Sequence, residues 1–353
     1  LGAYLFYFPR AKILVLVPFF IFFTIRVPAS ILLIFWFGCG KSDPENSSSP
    51  ESGQMTKKQT SMPKFLTIGT APPGGTFFVV GSAIADVADN YLASTVSAES
   101  TKGTQENIRL LGKGDIDFAI ANAAISYFAV RGEGDWEKPY DVQSVMTLAP
   151  NVGLFVTKKS SQINSMADLK GKRVTVGPEG AGFGYFLRPI FEAHGLTYND
   201  FKPVYGNYNA SVDMLADNSA QVAFLGGAVP NPAVVRVASS HSVKFVPFDI
   251  SATKQLFQDY AFFMPATIPA DTYKNQDLDF SSMNVGSMHL ITSVNVDDSI
   301  VYQFTKSLYE HRMDVVEKHP VGKAINPNNV VKNTGISFHE GAIKYYKEIG
   351  IWP

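Results

Sequence analysis

Residues 65–92 read FLTIGTAPPGGTFFVVGSAIADVADNYL, and this stretch decides the fold. Residues 65–68 form a short apolar run, residues 69–75 a turn rich in Gly and Pro, and residues 77–92 carry apolar side chains at helical spacing. The same strand, turn and helix grammar continues outward. Residues 95–98 predict a second strand, 104–111 a helix and 118–121 a third strand. Strands that alternate with helices imply crossover units and a largely parallel sheet. The apolar run at residues 146–157 predicts passage from one lobe to another, where the alternation restarts. Strands are expected at 173–177, 202–205 and 222–225, with helices at 185–194 and around 211–216; residues 243–248 then carry the chain back. The expectation is two α/β lobes, the first completed by C-terminal residues.

The bulk numbers agree with two lobes. At 353 residues the chain exceeds the size at which single cores tend to split, about 250–300 residues. Its 30 Lys and Arg nearly balance 31 Asp and Glu, so no overall field draws nucleic acid. With 28 Gly, 21 Pro and 13% aromatics, it suits a loop-rich α/β body better than a bundle. One Cys excludes an intrachain disulfide framework and any multi-Cys zinc site.

Upstream of the body the pattern changes. Arg10 and Lys12 precede an apolar run at 13–23, and a second run at 31–37 ends in Gly38-Cys39. Residues 1–39 are therefore expected to be an export signal, with Cys39 as the site of cleavage and lipidation. Trp36 and Phe37 depart from the usual residues before such a cysteine, and the rival reading is an uncleaved membrane anchor. Arg26 and Pro28 split that anchor into pieces shorter than the roughly 20 residues a span needs. Residues 40–63, rich in Ser, Pro, Glu and Lys, cannot bury enough surface to fold and read as a tether. Residues 64–149 with 249–353 are assigned to lobe 1, and 150–248 to lobe 2.

In open α/β sheets, ligands sit beyond the carboxyl ends of the strands, where helix N-termini supply free N–H groups. Three turns fit that place: Ala71-Pro-Pro-Gly-Gly-Thr76, Ser100-Thr-Lys-Gly-Thr104 and Gly177-Pro-Glu-Gly-Ala-Gly182. The apolar turn Leu225-Gly-Gly-Ala-Val-Pro230 joins them in the second half. The expected ligand contacts are Gly75, Thr76, Phe77, Thr101, Lys102, Thr104 and Asn122 from the first lobe, and Gly180, Ala181, Phe183, Gly226 and Gly227 from the second. Glycine also serves tight turns without any ligand, and that reading stands beside this one.

Several further motifs come in a fixed order. They are Thr67-Ile-Gly-Thr70, Glu106-Asn-Ile-Arg-Leu-Leu111, Gly114-Asp-Ile-Asp117, Met166-Ala-Asp-Leu-Lys-Gly-Lys-Arg-Val174, Pro265-Ala-Thr-Ile-Pro269 with Tyr273, His319-Pro320, and Phe338-His-Glu-Gly-Ala342 with Tyr345 and Tyr346. With them, from about Phe65 to the C-terminus, the chain resembles the TAXI family of extracytoplasmic solute receptors, the binding subunits of a class of TRAP transporters. The resemblance implies a two-lobed periplasmic-binding-protein type II fold with its ligand in the inter-lobe cleft, a membrane permease as partner, and a glutamate-like or dicarboxylate ligand. No cofactor and no metal are implied. Three departures bear on the ligand: Phe77 where the family often has Tyr, Asn122-Ala-Ala124 in place of a Gln-Ser-Asp triplet, and Ala181 and Phe183 in place of Ser and Thr. They suggest a less polar carboxylate, held by backbone N–H groups and Lys102; the alternative is that these side chains pack within the lobes.

Enzymatic readings find no motif: there is no His-Glu-x-x-His, no phosphate-binding Gly-x-x-x-x-Gly-Lys-Thr and no Gly-x-Ser-x-Gly. The six His are scattered, His319 and His339 read as local structure, Asp115 and Asp117 as a solvated turn, and Arg188 as a solvated helix residue or a partner for a carboxylate. Tyr345 and Tyr346 are expected to pack the last helix onto a lobe. A binding protein that signals to a membrane sensor is the alternative to transport, because both need the same crevice.

Overall fold

The computed structural model describes residues 61–353; the expected signal segment, Cys39 and nearly all of the tether lie outside them. The described chain opens with β1 (Phe65–Gly69), α1 (Thr76–Tyr91), β2 (Thr95–Glu99), α2 (Thr104–Lys113), β3 (Phe118–Asn122), α3 (Ala123–Ala129) and β4 (Val142–Thr147). It crosses to β5 (Phe155–Lys158), β6 (Arg173–Thr175), α4 (Gly184–Ala193), β7 (Lys202–Val204), α5 (Tyr208–Ala216), β8 (Val222–Phe224), α6 (Pro232–Ser240) and β9 (Val243–Val246). After α7 (Ile250–Asp259) come β10 (Phe263–Ile268), β11 (Phe280–Val285), β12 (Met288–Ser293), α8 (Asp298–Glu310), α9 (Arg312–Lys318) and α10 (Glu340–Glu348).

Two five-stranded sheets result, ordered β2-β1-β3-β12-β4 and β7-β6-β8-β5-β9. In each, the first three strands run parallel and the fourth is antiparallel to its neighbours. This is the two-lobed periplasmic-binding-protein type II arrangement. Burial follows position in the sheet: every residue of β3 and of β12 is buried, as central strands covered on both faces require, whereas edge strand β2 buries only Val96.

The return path differs from the expectation. Residues 243–248 do not lead straight back: β9 pairs with β5 as the outer strand of the second sheet. A separate antiparallel ribbon, β10 with β11, follows before the chain rejoins the first sheet through β12. Ile268 and Tyr273 of the ribbon region are buried in the same cluster as Val156, Ala223 and Val234 of the second lobe. Two strands alone are marginal, and that apolar backing is what holds the ribbon.

C-terminal helices cover the first sheet. Tyr345 and Tyr346 of α10 are buried among Leu66, Ile84, Val145 and Phe304, and the Tyr346 hydroxyl donates to the Val145 carbonyl at 3.0 Å. His319 and His339 do local work: Nδ1 of each accepts from a backbone N–H two residues on, at 3.1 and 3.2 Å. Asp117 departs from the solvated turn expected of it, since its Oδ2 accepts the Thr67 N–H at 2.8 Å and partial burial raises its pKa.

Candidate functional site

The chain crosses between lobes at residues 148–154 and again at 286–287, and the turns beyond β1, β2 and β6 meet over these crossings. They enclose a cleft of about 50 Å³, room for a few waters or a small ligand.

Helix starts shape its polar character. Most helices here carry a side-chain cap: Asn122, Asn207, Asn231, Asp249, Asp297 and His339 each accept backbone N–H groups at the start of α3, α5, α6, α7, α8 and α10. Among described helices of nine residues or more, only α1, α2 and α4 lack one, and their N-caps are Gly75, Gly103 and Phe183. All three residues line the cleft. A helix start without a side-chain cap leaves N–H groups and the positive end of the helix dipole for an anion. Of these three, α2 has its Gln105 N–H taken by the Ala181 carbonyl, and α4 has its Tyr185 and Phe186 N–H groups taken by the carbonyls of Gly182 and Phe183.

The side chains divide by lobe. Thr76, Phe77, Lys102, Thr104 and Asn122 line the cleft from lobe 1, and Phe183 faces them from lobe 2. Thr104 Oγ1 accepts the Asn122 N–H at 2.9 Å, which leaves its proton to donate. The Asn122 carboxamide is fully used: Nδ2 donates to the carbonyls of Val285 and Gly286 at 3.1 and 2.9 Å, and Oδ1 accepts from Ala124 and Ile125. It therefore braces the second crossing and presents no free polar atom. Phe183 packs against Phe186 and Tyr208, with ring centroids 5.2 and 6.1 Å apart, so the lobe 2 wall is aromatic.

The other expected residues lie apart from this lining. Thr101 turns into its own lobe, donating to the Thr70 carbonyl at 3.0 Å and accepting the Gly103 N–H at 3.1 Å. Gly180 borders a neighbouring depression with Tyr185 and Arg188. Ala181 is buried, and its carbonyl accepts the Gln105 N–H across the lobes at 3.3 Å. A Cβ on Gly227 would lie 2.9 Å from Thr76 Oγ1, and one on Gly226 would lie 3.2 Å from Asn151 Oδ1. Both glycines thus permit close approach behind the cleft.

Sequence reasoning missed Asn151, Asn207, Tyr208, Ile125 and Phe186, which also line it, as does Pro178 of the expected Gly177–Gly182 turn. Asn207 was detectable as an N-cap residue before an apolar-periodic run. Asn151 follows Pro150 in the crossing, a turn dipeptide that marks a break without saying where the side chain goes.

The lobes are in contact around this cleft. Thr76 Oγ1 donates to the Ala228 carbonyl at 3.1 Å, and Tyr185 stacks on Trp136 and Phe128 with centroids 5.8 and 5.5 Å apart. Arg188 lies 3.8 Å from Asp135 in an exposed pair that crosses the same seam, so its charge is matched within the protein. His289, fully buried on β12, contacts Ser126 Oγ through Nε2 at 2.9 Å and Thr334 Oγ1 through Nδ1 at 3.0 Å; burial pushes its pKa down to about 3. Among the described residues, no three His, Cys, Asp or Glu side chains gather to hold a metal ion, and no helix is long and apolar enough to cross a membrane.

Comparison with known proteins adds a family. A model of the NMT1-like family matches residues 68–350. Solved structures that resemble the chain include the alkanesulfonate-binding protein SsuA from Xanthomonas axonopodis pv. citri bound to MOPS, at 14% identity over 83% of this chain and 82% of that one, TM-score 0.49. The binding protein component of an ABC phosphonate transporter from Pseudomonas aeruginosa matches at 11% identity over 80% and 93%, TM-score 0.49. The periplasmic aliphatic sulphonate binding protein SsuA from Escherichia coli matches at 14% over 74% and 78%, TM-score 0.43. The fold assignment stands on the strand order above rather than on these likenesses.

Proposed function

Since the chain belongs to the NMT1-like family, we propose that it is an extracytoplasmic solute-binding protein, the capture subunit of a TRAP-type secondary transporter, and that its ligand is a small carboxylate with an apolar tail. One observation carries the ligand class: the three long helices without side-chain caps all begin at one cleft, and the facing wall is Phe183, Phe186 and Tyr208. The starts of α1 and α2 take the carboxylate, Lys102 adds a cation, and the aromatic wall rewards apolar area at about 25 cal/mol per Å². Free protein opens, ligand bridges both walls, and the closed form docks on the permease. Cys39 would hold the body at the outer membrane face through a lipid anchor. No cofactor takes part, and the resemblance of residues 65–353 to TAXI receptors supports the transporter class.

A thermal-shift screen of residues 64–353 tests this reading. A short branched or aromatic monocarboxylate at a hundredfold its dissociation constant should stabilise the protein by about 2.7 kcal/mol. Glutamate and dicarboxylates should shift it less. A response confined to glutamate would overturn the apolar-tail reading, and a response confined to sulfonates or phosphonates would overturn the carboxylate reading.

A further inference from the structure

Asn151 is 4% exposed, lines the cleft, and its Oδ1 is buried without a hydrogen-bond partner among the described residues. Its main chain is pinned on both sides: its N–H donates to Asn284 Oδ1 at 3.0 Å, and its carbonyl accepts the Val285 N–H at 2.8 Å. Asn284 is itself fixed, buried with Nδ2 donating to Ser287 Oγ at 2.9 Å. These bonds fix where the Asn151 backbone stands at the first crossing. A Cβ on Gly226 would lie 3.2 Å from Asn151 Oδ1, and the other side chain nearest that glycine, Phe224, offers no donor. A buried acceptor left unpaired is costly, and a ligand that brings a donor into the cleft relieves that cost.

We propose that Asn151 is a specificity residue that accepts a hydrogen bond from the ligand, so that the cleft selects acids carrying a hydroxyl or amino donor in addition to the carboxylate. This rests on the carboxylate reading above and narrows it. The helix starts of α1 and α2 serve only acceptors, because N–H groups cannot accept. Asn151 supplies the complementary requirement. A plain fatty acid would meet the anion sites and the aromatic wall, yet leave Oδ1 stripped of water and unpaired.

Calorimetry on the full chain in detergent, with 3-methylbutanoate, 2-hydroxy-3-methylbutanoate and 3-hydroxy-3-methylbutanoate, decides the matter. At least one hydroxy acid should bind about tenfold or more tighter than the parent acid. In Asn151→Leu, which keeps the volume and removes the acceptor, the ratio of the dissociation constants should collapse to within about twofold whatever the absolute affinity, with an unchanged circular dichroism spectrum reporting an intact fold. Equal binding of all three acids by the wild-type protein overturns the role of Asn151 and leaves the carboxylate reading standing. A preference that survives in Asn151→Leu does the same. If no acid binds, both readings fall together.

Discussion

The two walls of the cleft are built on different principles. On lobe 1 the wall is made of α1 and α2 starting on Gly75 and Gly103, with Thr76, Thr104 and Lys102 beside them. On lobe 2 it is made of Phe183, Phe186, Tyr208 and Pro178. Directional groups on the first wall are preformed by the backbone, so they bind charge with little ordering cost. The second wall acts through area, which is removed from water only when the lobes meet. On the proposed function, the contrast would give recognition of the anion to lobe 1 and the drive for closure to lobe 2.

Removing the lobe 2 aromatic should have the largest effect. Phe183→Ala is expected to weaken binding of 3-methylbutanoate by about 10–100-fold, through lost apolar area and poorer closure, while acetate binding changes little. Titration calorimetry with the two acids separates the walls directly; an equal loss for both would erase the distinction between them.

An intermediate effect concerns lobe 1 alone. His289 sits on β12, an interior strand of its sheet, with a pKa pushed down to about 3 from the ordinary 6.5. Above pH 6.5 the ring is neutral whether the chain is folded or not, so it costs nothing. Below that, the unfolded chain takes up a proton that the folded chain refuses, and stability falls as pH drops towards the folded pKa. From about pH 7 to about pH 5.5 this loss amounts to about 1 kcal/mol. His289→Gln, whatever its stability at neutral pH, should show a shallower fall over that window in denaturant melts; an unchanged slope would place the titration elsewhere.

The smallest effect belongs to Lys102. It is exposed, and exposed charges contribute little, so Lys102→Ala should weaken acid binding by only about 2–5-fold and flatten its salt dependence. A much larger loss would mean that lobe 1 binds the anion through this cation rather than through its helix starts.

What could be read in advance follows the same division. The turns of lobe 1 announce themselves because a strand, a glycine and an apolar-periodic helix fall in order, and β1, α1, β2, α2 and β3 appear within two residues of their expected bounds. The lobe 2 wall was half visible: Phe183 lies in a glycine turn, but Tyr208 lies three residues before the expected start of its helix at Ser211. Asn151 gave no periodic signal, because its importance comes from β11, 133 residues away, whose Asn284 fixes its main chain. β10 also escaped notice. Pro265 in the middle of Phe263–Ile268 argues against a strand, and it is tolerated because this ribbon has only two strands.

The position of β12 between β3 and β4 has a consequence for how the protein is made. All five strands of the second sheet lie within residues 155–246, so they are available together early in translation. The first sheet has to wait until Ser293 has left the ribosome, and during that interval β3 and β4 present unpaired edges. A nascent chain halted before Met288 would thus hold a complete set of second-sheet strands and a gapped first sheet, and it is this late gap that would have to be shielded from other chains.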